Sequence, residues 1–176
     1  MRGGRLIAVV GPSGAGKDRV IEGIAQAAPQ ISPVKRVITR KPDLPGEASI
    51  HVSPQDFAEM REDDAFCLHW SAHGLSYGIP AQVLADVQGG AQRLVNLSRG
   101  VLSEARALFP NLLVLHVTAR PETLARRLAG RQRETEAEID GRMSRVTPDL
   151  PEGIQCLDLP NDGSLEETVA RALRMI

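Results

Sequence analysis

The chain has 176 residues, of which 42% are apolar and 24% charged, with a net charge of −1. That length suits one domain, and the composition excludes a disordered tract, a disulfide-stapled miniprotein and a broad basic surface for nucleic acid. No apolar run reaches the roughly 20 residues of a membrane span. The opening MRGGRLIAVVGPSG lacks a signal peptide's h-region and cleavage site, so a cytoplasmic protein without a membrane partner is expected. Cys67 and Cys156 have neither CxxC spacing nor a nearby His cluster, and they read as buried, reduced thiols. Of the 21 basic residues only Lys17, Lys35 and Lys41 are lysines. Arginine clustered in a site suits bidentate capture of phosphate or carboxylate.

Residues 6–10 (LIAVV) read as a buried parallel strand ending in glycines. Val20, Ile21, Ile24 and Ala28 recur at helical spacing from Lys17, and Pro29 ends that helix. A short strand is expected over 34–38 and a loop over 40–49. Ser53 and Pro54 mark a helix start. Residues 66–70 read as extended and 73–80 (HGLSYGIP) as turn-rich. A strand over 93–97, a helix over 101–109 and a strand over 112–117 follow. Pro121 opens a helix through Leu124 and Leu128, and Ile139, Met143 and Val146 line the next. A last strand spans 155–159. Ser164 and Glu167 form a capping box for a closing helix that buries Leu165, Val169, Leu173 and Ile176. Strands alternating with helices predict an α/β fold, a three-layer α/β/α domain with a parallel core sheet. Between about 33 and 88 the alternation fails, and that stretch reads as an insert in a single domain.

Gly11, Pro12, Ser13, Gly14, Ala15, Gly16 and Lys17 join the first strand to the first helix and fit G-x-x-x-x-G-K. Chance supplies about 0.02 such matches in a chain of this composition. Backbone N–H groups of such a loop turn toward phosphate oxygens, the helix N-terminus adds positive charge, and Lys17 reaches the β/γ-phosphates. Asp18 stands where Ser or Thr usually holds Mg²⁺. Beside a triphosphate a carboxylate is repelled by about 4 kcal/mol at about 4 Å, unless a cation lies between or it faces Lys17 or an arginine. Asp18 is therefore expected at the Mg²⁺, directly or through water. The plain alternative is a solvated carboxylate favoured by the helix dipole. The strand at 93–97 holds no carboxylate and ends on Asn96, so the metal-facing carboxylate is expected to have moved from that strand to the loop.

No NKxD-type guanine motif is present, and the chain is short for a large ATPase. A small-molecule kinase using ATP and Mg²⁺ fits. The segment Arg126-Arg127-Leu-Ala-Gly-Arg131-Gln-Arg133, with Arg142 and Arg145, reads as a lid over about 126–146. Its arginines would stabilise charge on the transferring phosphoryl. A solvated cationic face balanced by Glu134, Glu136 and Glu138 is the alternative.

VITRKPDLPGE (37–47), FCLHWSAHGLSYGIP (66–80) and NDGS (161–164) resemble guanylate-kinase relatives. With the loop Gly11–Asp18, Lys35–Arg40, Trp70–Gly78 and Val95–Arg99, they resemble most the ribose 1,5-bisphosphate phosphokinase family, and the resemblance covers essentially the whole chain. It implies a guanylate-kinase-like P-loop fold and transfer of the ATP γ-phosphoryl to the 1-phosphate of ribose 1,5-bisphosphate. The partner is then a small phosphorylated sugar, and the pathway often lies beside phosphonate breakdown. Arg40 and Tyr77 match two of the four phosphate ligands of guanylate kinases. Asp43 replaces a second arginine, which leaves that contact to Arg36 or lost, and His51 is nearest to the missing tyrosine. Leu68 stands where those enzymes read guanine with a carboxylate, and leucine cannot pair guanine's donors, at a cost of about 1–3 kcal/mol. The resemblance thus makes Arg36, Arg40, Tyr77 and Arg99 acceptor ligands, with Glu47 at a ribose hydroxyl. It places Arg131 and Arg142 over the phosphoryl, and Arg133 and Asn161 on the nucleotide side. Each arginine also has a surface ion pair as its alternative. Trp70 reads as packing, and His73 is given no base role. A nucleoside monophosphate kinase and a non-catalytic nucleotide-binding module stay open beside this reading.

Overall fold

Residues 3–41, 48–130 and 149–176 are described by a computed structural model of the chain. In chain order the elements are β1 (Arg5–Val10), α1 (Lys17–Ala27), β2 (Ile31–Pro33), β3 (Val37–Ile38), β4 (Ile50–His51), α2 (Pro54–Glu62), β5 (Phe66–Ala72), β6 (Leu75–Pro80), α3 (Gln82–Gln88), β7 (Gln92–Asn96), a 3₁₀ turn (Arg99–Val101), α4 (Leu102–Leu108), β8 (Leu113–Thr118), α5 (Pro121–Ala129), β9 (Gln155–Pro160) and α6 (Leu165–Met175). The predicted helix through Ile139, Met143 and Val146 lies outside the described residues.

Five strands form a sheet in the order β2-β7-β1-β8-β9, each pairing parallel. Both faces are covered, which is why LIAVV and LLVLHV read as continuous apolar runs. Alternate residues feed two cores. Ile7, Val9, Leu94, Leu115 and Leu159 pack with Val20 and Ile24 of α1 and Val169 of α6. On the other face Leu6, Ala8, Val10 and Val95 pack with Val83 of α3, Leu102 of α4 and the second sheet.

That second sheet, β4-β3-β6-β5, replaces the loop-dominated insert expected from the sequence. Of the strand expected over 34–38 only Val37–Ile38 (β3) forms, pairing with β4 and β6, while a separate short strand just before it, β2, pairs with β7 in the other sheet. Only two residues of the turn-rich HGLSYGIP make a turn. His73 (φ 54°) and Gly74 (φ 74°) link β5 to β6 with both residues left-handed, the geometry of a two-residue hairpin that follows the strand twist. Gly78 lies inside β6 because the Phe66 ring covers it: an added Cβ would sit 2.6 Å from Phe66 Cδ1. Phe66 in turn stacks on Phe57 of α2 at 4.7 Å.

Ser53 caps α2 as expected, in a full capping box with Asp56. At α6 the Ser164 hydroxyl accepts from the Glu167 N–H. Leu165, expected in the core, opens that helix 37% exposed, and Thr168, Val169 and Ala172 make the buried stripe. Cys67 and Cys156 are free thiols, half-buried rather than buried. Burial pushes both thiols up, and the Asp158 carboxylate adds to the rise at Cys156. Among the described residues no helix is long and apolar enough to cross a membrane.

Candidate active site

The loop between β1 and α1 is built around glycines that no other residue can replace cheaply. Gly11 (φ 151°) passes so close to β8 that a Cβ would lie 2.2 Å from the Val117 carbonyl oxygen. Gly16 (φ 89°) is the N-cap of α1, and no side chain caps that helix. The orphan N–H groups of its first turn are therefore left for an anion. Lys17 Nζ donates to the carbonyls of Gly11 at 2.8 Å and Pro12 at 3.1 Å. This folds the ammonium over the loop, at the place a phosphate chain would occupy. Asp18 Oδ1 accepts from Asn96 Nδ2 at 3.0 Å. The carboxylate therefore meets the end of β7.

The back of the loop is braced by two residues. Arg127 at the end of α5 donates to the Gly14 and Ala15 carbonyls, both at 3.2 Å, and to the Asn161 carbonyl at 2.7 Å. Residues 126–129 of the predicted lid thus complete α5, and Arg127 faces the loop. Asn161, 5% exposed, donates from Nδ2 to the Ala15 carbonyl at 2.8 Å and accepts at Oδ1 from Thr168 Oγ1 at 2.8 Å. Its amide is committed to the protein, and it reaches the nucleotide side only through the loop.

The rest of NDGS has local work. Asp162 Oδ1 accepts from the Arg120 N–H at the start of α5, at 2.8 Å. That bond holds its carboxyl below the usual range. Ser164 caps α6. Asn161→Ala removes one of the two donors to the Ala15 carbonyl, which keeps Arg127, and one of the two acceptors of the Thr168 hydroxyl, which keeps the Ser164 carbonyl, so we expect a stability loss of about 1–3 kcal/mol. Urea unfolding measures it, and a change below 1 kcal/mol would show that the brace does little.

In the second sheet, the face turned toward the core carries Tyr77 with Arg36 against it. Trp70 pairs with Tyr77 across β5 and β6, and Ile38 with Tyr77 across β3 and β6. The Trp70 and Tyr77 rings stack in parallel at 5.3 Å. Arg36, 8% exposed, lies with its guanidinium 4.9 Å from the Tyr77 ring and 5.9 Å from the Trp70 ring. Such desolvated cation–π contacts are worth about 2 kcal/mol and hold the guanidinium in one plane. Trp70 is a stacking residue as well as a packing one.

Arg40 follows β3, and its carbonyl meets His51 Nδ1 at 3.2 Å. Leu68 is 2% exposed and belongs to the core between the sheets. Arg99 sits beyond β7 on the far side of the sheet from α1, with its Nη2 against His116 Nε2. The structure thus gathers Arg36 and Tyr77 in one cluster, and Asp18, Lys17 and Asn161 about the loop. Glu47, Arg131, Arg133 and Arg142 lie outside the described residues. The sequence reading missed Arg127 and His116, since one sits in an arginine-rich run and the other in an apolar strand.

The oxygens of Asp18 and Asn96 are hard donors of the kind Mg²⁺ takes. Among the described residues no cluster of three or more His, Cys, Asp or Glu could hold a metal by itself. Magnesium does not need one, because one or two carboxylates, waters and the phosphates of a nucleotide suffice.

No family model matches the chain. It is 47% identical over 174 residues to a ribose 1,5-bisphosphate phosphokinase PhnN of Ruegeria sp. (strain TM1040), covering 98% of this chain and 92% of that protein. It is 41% identical over 178 residues to the protein of the same name from Azotobacter vinelandii, covering 99% and 96%. Among solved structures it superposes on guanylate kinase from Anaplasma phagocytophilum with a TM-score of 0.72. That match has 17% identity and covers 99% of this chain and 85% of that one.

Proposed function

The chain belongs to the ribose 1,5-bisphosphate phosphokinase family, and on that premise we propose how its own residues carry out the transfer. It phosphorylates ribose 1,5-bisphosphate with ATP, giving 5-phospho-α-D-ribose 1-diphosphate and ADP. An oxygen of the 1-phosphate forms the bond to the γ-phosphorus, and the bond from that phosphorus to the β–γ bridging oxygen breaks, leaving its electron pair on ADP. The attacking oxygen is already anionic at neutral pH, so no general base is assigned. Positioning and charge neutralisation supply the rate. The observation that carries this reading is the near full-length match to enzymes of that name, with an intact phosphate loop in place.

Gly11–Gly16 cradle the phosphates of ATP, with Arg127 and Asn161 holding the loop in shape. Lys17 exchanges the Gly11 and Pro12 carbonyls for β/γ-phosphate oxygens. Asp18, oriented by Asn96, holds Mg²⁺ directly or through water, and the ion supplies neutralisation of phosphate charge. Arg36, held against the stacked Trp70 and Tyr77 rings, and Arg40 and Tyr77 take one acceptor phosphate, and Arg99 takes the other. Glu47 at a ribose hydroxyl, Arg131 and Arg142 over the transferring phosphoryl and Arg133 at the nucleotide complete the proposal. A cytoplasmic location, where the nucleoside triphosphate is abundant, belongs to it.

We expect Asp18→Ala to raise the Mg²⁺ concentration for half-maximal rate by tenfold or more. Initial rates across a magnesium series check it, and an unchanged half-point contradicts the assignment. Phosphorus NMR of the product tests the reaction itself. A diphosphate on the anomeric carbon, formed with one ADP, supports it. No conversion of the bisphosphate alongside conversion of GMP would overturn it in favour of a nucleoside monophosphate kinase.

A further inference from the structure

We propose that His116 is a positioning residue that aims Arg99 at the acceptor, and that Asp158 fixes the His116 tautomer that makes this possible. The proposal rests on the reading of Arg99 as an acceptor ligand. His116 sits in the middle of the sheet's carboxyl edge, in register with Val10 of β1 on one side and Asp158 of β9 on the other. Its Nδ1 lies 2.8 Å from Asp158 Oδ1, and its Nε2 meets Arg99 Nη2. The next residue, Val117, has its carbonyl packed against Gly11. The Asp158–His116–Arg99 chain therefore abuts the phosphate loop and ends on a guanidinium.

The chemistry of the three groups allows one arrangement. A guanidinium carries only donors and keeps its proton in proteins. For Arg99 to be held, His116 Nε2 must present a lone pair. In the neutral ring the proton is then on Nδ1, where the Asp158 carboxylate accepts it. The opposite tautomer, or the doubly protonated ring, sets an N–H against an N–H, and the second also sets cation against cation. Asp158 selects the working tautomer by the same logic that orients a catalytic histidine. Arg99, Asp158 and Cys156 are the charged and titratable groups that interact with one another about His116. The Cys156 thiol, pushed up by burial and Asp158, stays neutral and adds no charge.

The test measures KM for ribose 1,5-bisphosphate and for ATP in wild type, His116→Gln and His116→Ala. Gln presents an amide oxygen near the place of Nε2. His116→Ala is expected to raise the acceptor KM ten- to a hundredfold with the ATP KM unchanged. His116→Gln is expected to restore it to within about threefold. Ring-nitrogen NMR, with the His116 signal assigned by its loss in His116→Gln, is expected to show the Nδ1–H tautomer. A wild-type acceptor KM in His116→Ala, an acceptor KM in His116→Gln as high as that of His116→Ala, or an Nε2–H ring would each overturn the proposal. If wild type is inert toward the bisphosphate, the functional reading falls, and the tautomer still decides the relay.

Discussion

Lys17→Met is expected to lower kcat by about 10³-fold or more while leaving the fold intact. The ammonium is held by the Gly11 and Pro12 carbonyls at 2.8 and 3.1 Å. Both are neutral acceptors at the loop's own mouth, so a phosphate oxygen can replace them with little rearrangement. Charge-assisted bonds to phosphate are about twice as strong as bonds to a neutral carbonyl, and the difference grows as negative charge shifts onto the bridging oxygen. Methionine keeps the apolar stem and removes the charge, so packing along α1 is conserved. Steady-state rates with a thermal melt on the same sample separate the two effects. A kcat within tenfold of wild type would show that the lysine is not at the transferred group.

The second large effect is structural. Gly11→Ala places a Cβ 2.2 Å from the Val117 carbonyl oxygen and 3.2 Å from its carbon, on a backbone with φ 151°. Neither side can yield cheaply: Val117 is inside β8, paired with β9, and Gly11 directly follows β1. The loop must move away from the strand, which costs about 3 kcal/mol or more through strain and overpacking and widens the phosphate cradle. Gly14→Ala is a useful control. It shares the positive φ (84°) and its strain, but its added Cβ meets the Leu128 side chain at 3.2 Å, which can yield where a strand carbonyl cannot. Denaturant unfolding and ATP binding should both fall most in Gly11→Ala. A loss no greater than in Gly14→Ala would mean that the loop tolerates displacement from β8.

Most of the parallel sheet was legible because strands buried on both faces leave unbroken apolar runs, and the phosphate loop because its glycines fall at fixed spacing. The second sheet was hidden by its own chemistry. Gly78 and Pro80 look like turn residues, but Gly78 makes room for the Phe66 ring, and β3 and β4 are two residues each. Asn96 stood out as the polar residue of its strand, yet its bond to Asp18 spans 78 positions and no local pattern encodes it. Arg127 looked like part of a lid because charge is all that sequence shows of an arginine, whereas its fork closes on three backbone carbonyls. NDGS was visible as a segment, but its division into a loop brace, an α5 cap and an α6 cap needed coordinates.

Leu68 ties the acceptor question to one number. Buried in the core at 2% exposure, it gives a guanine ring no carboxylate, while Arg36 and Arg40 remain for phosphates. The decisive measurement is kcat/KM for ribose 1,5-bisphosphate against GMP, at saturating ATP and magnesium. The account predicts a ratio of at least about 10³ in favour of the bisphosphate. A ratio below one would contradict it, and the second sheet would then be a nucleotide site.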